Sequence, residues 1–407
     1  MQRPSYPPLH IKGKSLVPIV QGGMGVGISA HRLAGNVARL GAVGTIASVD
    51  LRRHHPDLME RSGRGRDKAV INEANLIALD REIRAAREIA QGQGMIAVNV
   101  MRAVSQYAAF VRQACESGAG AIVMGAGLPL DLPDLTAGYP DVALIPILSD
   151  VRGINVVVRK WARKDRLPDA IVIEHPFFAG GHLGATRLED LDEPRFDFET
   201  VIPGALELFR TMGIDPRCIP LIAAGGINSH EKFKEVLALG ASAAQIGTPF
   251  AVTEEGDAHP NFKKVLADAT PDDIVTFMSD AGLPARAVRT PWLARYLDRA
   301  DELQQKAHGS RDCVLGSDCL IQCGLRDGNP RAGQFCIAVH LAAALQGDVE
   351  HGLFFRGAEP LPFGNAIRPV SELVEYLLTG IKPSPFPWPD RPATIGHLAA
   401  AIPEHLN

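Results

Sequence analysis

Eight short apolar runs, spread over the first 250 residues and separated by amphipathic stretches, constrain this chain more than any other feature. They are LVPIVQG (16–22), AVGTIA (42–47), MIAVNVM (95–101), GAIVMG (120–125), ALIPILS (143–149), DAIVIE (169–174), IPLIAAGG (219–226) and AAQIG (243–247). The links between them, such as AHRLAGNVARL, IALDREIRAAREIA, VSQYAAFVRQACESG and SHEKFKEVLALG, are helix-like. The fifth link, RGINVVVRKWARKDR, keeps its apolar positions on one face and Arg159, Lys160, Arg163 and Lys164 mostly outside. Strand–helix alternation of this kind builds a parallel sheet. Eight units in about 250 residues predict an α/β fold of the (β/α)8 TIM-barrel type. A doubly wound sheet would place G-x-G-x-x-G after its first strand, and GGMGVG there lacks that spacing.

Past residue 250 the pattern turns irregular and helical, with turn signals at Gly309, Gly328-Asn329-Pro330 and Pro360–Pro362. The tail SPFPWPDRP (384–392) cannot be regular helix, because proline lacks the N–H donor. The expected organisation is a barrel over 1–255 with parts of 340–380, a helical, cysteine-containing lid over 256–340, and a proline-rich tail over 381–407. Hydrophobic content of 46% supports a large core, and a net charge of −4 argues against a dedicated nucleic-acid binder. No apolar run approaches the ~18 residues of a membrane span. The N-terminal MQRPSYPPLHIKGKS lacks the apolar core of a signal peptide, so a cytoplasmic protein is expected.

In such a barrel the chemistry gathers on loops at the C-terminal ends of the strands. Five candidates fall on that face: QGGMG (21–25), Asn99, AGGHLG (179–184), AAGGI (223–227) and GTPF (247–250). A single glycine is ordinary turn punctuation; five such elements on one face are not. Gly225, Gly226, Gly247 and Thr248 would offer donors where loops after the seventh and eighth strands commonly hold a phosphate. Adding glycines at strand one and an Asn at strand three describes a mononucleotide across the barrel mouth, with flavin mononucleotide (FMN) the best fit. His182, between Gly180, Gly181 and Gly184, is the candidate acid or base.

The motifs PIVQGGMG, VNVM, E-x4-AGGHLG, PLIAAGGI, A-x2-GTPF and GLPARAVRT (282–290) resemble the nitronate monooxygenase family, formerly 2-nitropropane dioxygenases. That family also contains flavin-dependent enoyl-acyl-carrier-protein reductases. The likeness runs through residues 15–290 and more loosely to GDVEHGLFF and VSELVEYLL. It implies a TIM barrel with non-covalent FMN. Gln21, Gly22, Gly23 and Met24 would line the flavin ring, with Asn99 and Glu174 near its polar edge. Gly181, Gly225, Gly226, Gly247 and Thr248 would hold the ribityl phosphate, Gln245 would lie close by, and His182 would stand above the flavin.

Three features stand outside that pattern. His175, in the bulky HPFF, reads as a packed loop histidine. The basic run LRRHHPDLMERSGRGRDK (51–68) is either a solvated loop or a contact for a phosphate-bearing substrate. Cys313, Cys319, Cys323 and Cys336, spaced C-x5-C-x3-C-x12-C, are either scattered thiols or ligands of an iron–sulfur cluster or zinc. Two reactions therefore stay open. One is oxidation of alkyl nitronates with dioxygen; the other is reduction of an enoyl thioester or similar double bond by NAD(P)H. A non-enzymatic flavin scaffold is disfavoured by the intact GGHLG. A homodimer is an open expectation, since the sequence does not determine the oligomeric state.

Overall fold

The computed structural model describes residues 6–63, 67–308 and 319–384. All eight predicted runs form strands of one closed parallel barrel. A short hairpin, β1 (Leu9–Ile11) and β2 (Lys14–Leu16), comes first. The barrel strands are β3 (Ile19–Gln21), β4 (Val43–Ala47), β5 (Met95–Met101), β6 (Ala121–Gly125), β7 (Ala143–Leu148), β8 (Ile171–Glu174), β10 (Leu221–Ala224) and β11 (Ala243–Ile246). They pair in chain order, and β11 returns to β3. Val20, Val43, Ala97, Val123, Ile145, Val172 and Ile222 fill the interior, where Leu9, Ile11 and Leu16 of the hairpin join the same cluster.

Helices form the outer layer, and their apolar faces meet the strands. In Val151–Ala162 the buried residues Ile154, Val157, Val158 and Trp161 recur at helical spacing, while Arg159 and Lys160 face out. Helix His31–Arg39 approaches β4 so closely that a Cβ on Gly44 would strike the Ala34 carbonyl. The N-terminus of that helix is capped from far along the chain. Asp257 accepts Ala30 N at 2.8 Å, Leu33 N at 3.1 Å and Arg32 N at 3.1 Å. The eighth outer helix is Val370–Thr379, which buries Val370, Leu373, Val374 and Leu377 in the main core. Residues 252–369 are thus inserted between β11 and the helix that completes the ring.

The insertion forms a cap over the barrel mouth that is mainly helical among the described residues, as the sequence predicts, and also carries a small sheet. Beside helices Pro260–Asp268, Pro291–Leu297 and Ile337–Leu345 stand two strands, β12 (Ile274–Met278) and β13 (Pro284–Val288). With β9 (Gly181–His182), from the loop after β8, they form an antiparallel sheet in the order β12-β13-β9. Proline at the first position of β13 is tolerated because its missing donor falls at a strand end. β9 has no local strand signature at all; only its partner, about a hundred residues away along the chain, makes it one. Among the described residues no helix is long and apolar enough to cross a membrane.

The barrel is thinnest between β3 and β4, whose register has the single pair Val20↔Val43, against five pairs between β4 and β5. Gln21 extends the ladder with its side chain. Its Oε1 accepts Thr45 N at 2.9 Å and its Nε2 donates to Thr45 O at 3.1 Å, all fully buried. Replacing it with an apolar residue orphans two buried backbone groups, each costing about 1–3 kcal/mol. Gln21→Leu is therefore expected to lose at least about 2 kcal/mol in chemical denaturation. An unchanged midpoint would show that the barrel closes without this amide.

Candidate active site

A cavity of 570 Å³ opens at the C-terminal end of the barrel, under the cap. One wall is barrel: Gly22, Gly23 and Met24 after β3, Asn99 on β5, Glu174 at the end of β8, Gly225 and Gly226 after β10, and Gln245, Gly247 and Thr248 at β11. The other wall is cap and loop: Gly180, Gly181 and His182, with Leu341, Leu353, Phe355 and Gly357. Of the expected site residues that the structure describes, all meet at this cavity except Gln21, Cys319, Cys323 and Cys336.

Backbone lies bare along the barrel wall because side chains do not fit. A Cβ on Gly23 would overlap the Asn99 side chain. Gly225 and Gly226 have φ of +101° and +74°, a region that favours glycine, and a Cβ on Gly226 would run into the Phe178 ring. This corner presents backbone N–H groups suited to an anion such as a phosphate. Thr248 ties the corner to the cap, since its Oγ1 accepts Gly357 N at 2.9 Å. Gln245 Oε1 is buried with no hydrogen-bond partner among the described residues. An orphaned acceptor on a cavity wall is costly unless a ligand donates to it.

Two titratable groups on the wall, Glu174 and His182, are shifted towards their uncharged forms by desolvation. Desolvation raises the Glu174 carboxyl to about 7 and lowers the His182 imidazole to about 4. His182 Nε2 lies 3.1 Å from Ser279 Oγ, and its ring meets Phe355 edge-on at 5.6 Å. An uncharged imidazole and a carboxyl near its titration point can exchange or share protons at neutral pH.

Gln21 departs from its expected place. Its amide is spent bridging β3 and β4, so it acts behind the cavity wall and not on it. The basic run is largely consumed by neighbouring acids. Arg52 and Arg53 pair with Asp50, His55 with Glu82 and Arg61 with Glu73, and no described residue of the run reaches the cavity. His175 is buried between the rings of Phe178 and Phe198, with Nε2 3.4 Å from Asp197. Cys313 lies outside the described residues. Cys323 caps helix Gly324–Asp327, its Sγ accepting Arg326 N at 3.5 Å, and it packs with Cys319 in an apolar cluster around Leu320, Phe335 and Ile337. Among the described residues no three His, Cys, Asp or Glu side chains are grouped to hold a metal, so the alternative of a four-cysteine cluster has no support there.

Several wall residues were not singled out from sequence. Phe355 and Gly357 fall within or beside GLFFRG (352–357), whose repeated aromatics and glycine were the available signal. Leu341 and Leu353 look like ordinary core, and Ser279, which lies behind the wall, has no sequence signature. Arg356 is 3% exposed and satisfied by carbonyls, with Nε on Leu266 O at 3.0 Å and Nη1 on Gly357 O at 2.9 Å.

Comparison with known proteins agrees with this geometry. The chain is 27% identical over 295 residues to a "Probable nitronate monooxygenase" of Bacillus subtilis, covering 68% of this chain and 77% of that one. A second protein of that description, from Staphylococcus saprophyticus, is 26% identical over 187 residues, 45% of this chain and 50% of its own. Among solved structures, FabK from Thermotoga maritima superposes with a TM-score of 0.61 at 22% identity, covering 89% of this chain and 91% of that one. Nitroalkane oxidase from Streptomyces ansochromogenes gives a TM-score of 0.59 at 21% identity, covering 89% and 94%. At such identities the structural likenesses speak for the fold alone. The nitronate monooxygenase family model matches residues 9–380, and the chain belongs to that family.

Proposed function

We propose that this protein is an FMN-dependent oxidoreductase acting on alkyl nitronates with dioxygen, with His182 contacting the substrate. The observation that carries the reading is one cavity joining the bare backbone at Gly225, Gly226 and Gly247, the orphaned Gln245 acceptor and His182. Glycine N–H groups and Thr248 would hold the phosphate of FMN. Gly22, Gly23 and Met24 would lie along the ring, and Asn99 and Gln245 would meet its polar atoms. Bound there, FMN would supply electron transfer and reactivity towards dioxygen.

The chain's own residues do three things. Phe355, Leu353 and Leu341 roof the cavity with apolar side chains and exclude water. His182, uncharged near neutrality, offers an N–H for orienting an anionic or polarised oxygen. Glu174, half-buried at the end of β8, takes or returns a proton without a large change in driving force. A second reading is NAD(P)H-dependent reduction of an enoyl thioester. It is favoured by the apolar part of the cavity lining, which includes Val26, Ile28, Phe262 and Leu341. Anaerobic bleaching of the flavin by NADH or NADPH would select it; bleaching only by nitronate would select the first.

Acid or heat should release a yellow compound that co-elutes with FMN, and Gly226→Ala should abolish its retention because the new Cβ meets Phe178. A colourless protein that takes up no FMN would overturn the cofactor assignment. His182→Gln should keep FMN and lose about 10²–10⁴-fold in turnover. Because burial keeps the imidazole neutral down to about 4, the kcat/KM profile should show no histidine limb near ~6.5. A wild-type limb there that vanishes in His182→Gln would show the imidazole to be solvated and ordinary.

A further inference from the structure

We propose that Ser279 is the positioning residue that holds His182 in one tautomer, with the ring proton on Nδ1 and directed into the cavity. His182 then meets its substrate as a hydrogen-bond donor and not as a base. The proposal rests on the reading of this cavity as the active site, and it specifies which nitrogen works there and in which sense.

Ser279 sits in the turn between β12 and β13, 97 residues from His182 in sequence, with its Oγ 3.1 Å from Nε2. It is 0% exposed and lies behind the cavity wall. Its backbone is fixed: Ser279 N donates to Leu283 O at 3.0 Å, and Ser279 O accepts Gly282 N at 3.0 Å and Gly333 N at 2.8 Å. The hydroxyl is the remaining polar group, and His182 Nε2 is the one side-chain or backbone atom it bonds among the described residues.

Proton counting then decides the direction. A serine hydroxyl carries one hydrogen, and a neutral imidazole has one N–H and one bare nitrogen. If Nε2 held the ring proton, it would donate to Ser279, and the hydroxyl hydrogen would be buried with no acceptor among the described residues. Such an orphan is costly, whereas donation from Ser279 to a bare Nε2 satisfies both groups. The proton must then lie on Nδ1, since the hydrogen bond made by one ring nitrogen sets the state of the other. Nδ1 has no hydrogen bond to any described residue, and His182 lines the cavity. The residue is held in place, because its backbone is paired to Ala285 of β13 and its ring packs edge-on against Phe355. An Nδ1–H so held suits the anionic oxygen of a nitronate or the oxygen of a polarised carbonyl. In neither case does His182 have a free lone pair on the cavity side with which to remove a carbon-bound proton.

The test is the nitrogen spectrum of His182 in protein labelled with ¹⁵N-histidine, its signals identified by their loss in His182→Gln. The wild type is expected to show Nδ1 protonated and Nε2 bare. Ser279→Ala should release the preference, giving the opposite tautomer or a mixture, and Ser279→Thr should restore the wild-type pattern. Turnover should fall on the order of three- to tenfold in Ser279→Ala, the scale of one net hydrogen bond, and recover in Ser279→Thr. A protonated Nε2 in the wild type, or a tautomer indifferent to Ser279→Ala, overturns the proposal. Should Ser279→Ala fail to fold, the wild-type spectrum alone decides. FMN content measured on the same samples separates the outcomes, because loss of the cofactor assignment leaves the tautomer question intact.

Discussion

The buried amide of Gln21 is the interaction on which the site depends. A parallel barrel closes only if each strand satisfies its neighbour's backbone, and between β3 and β4 the main chain supplies one residue pair. By bonding both N and O of Thr45, Gln21 continues the ladder with a side chain. The backbone past Gln21 is then free to depart from β4, while Gly22 N–H still bonds Ile246 O of β11 at 2.9 Å. That departure carries Gly22–Met24 over the barrel mouth as cavity wall. Had β3 stayed in register with β4, these residues would be sheet.

The cap completes what the barrel begins. A β8 loop of glycines around one histidine would be mobile by itself, because glycine loses the most conformational freedom on ordering. Pairing Gly181 and His182 with Arg286 and Ala285 turns that loop into an edge strand, and Arg286 Nη1 holds the loop carbonyl of Pro176 at 3.2 Å. Desolvation lowers the buried guanidinium to about 10, so it stays charged while bonded to neutral carbonyls. The loop that carries His182 is thereby fixed by residues a hundred positions downstream, and closing helix Val370–Thr379 anchors the far end of the insertion in the barrel core.

Burial sets the electrostatics of the site. With the cap in place, Glu174 and His182 shift in opposite directions, each towards its uncharged form. A cavity with few fixed charges near His182 strengthens any hydrogen bond made to an anionic ligand, since little water competes. The same dryness makes Ser279 consequential, because a hydroxyl in water would find other partners.

Much of this was legible in the amino-acid order. Eight apolar runs with helical links determined the barrel, because a strand buried on both faces and a helix with one apolar stripe each leave a periodic record. Glycines at strand ends marked the cavity, because close backbone approach excludes any other residue. Gln21 was misplaced because a polar residue beside glycines looks like a ligand contact until its buried bonds are traced. The basic run suggested a substrate contact until Asp50, Glu73 and Glu82 were found beside it. β9, β13 and Ser279 left no local trace, since each takes its role from a partner distant in the chain. Sequence by itself determined which backbone can be bare and which faces are apolar, for those are properties of residues and their neighbours. Tertiary structure alone decided which nitrogen of His182 is free and which polar groups are already satisfied, because a hydrogen bond exists only between atoms that folding has brought within reach.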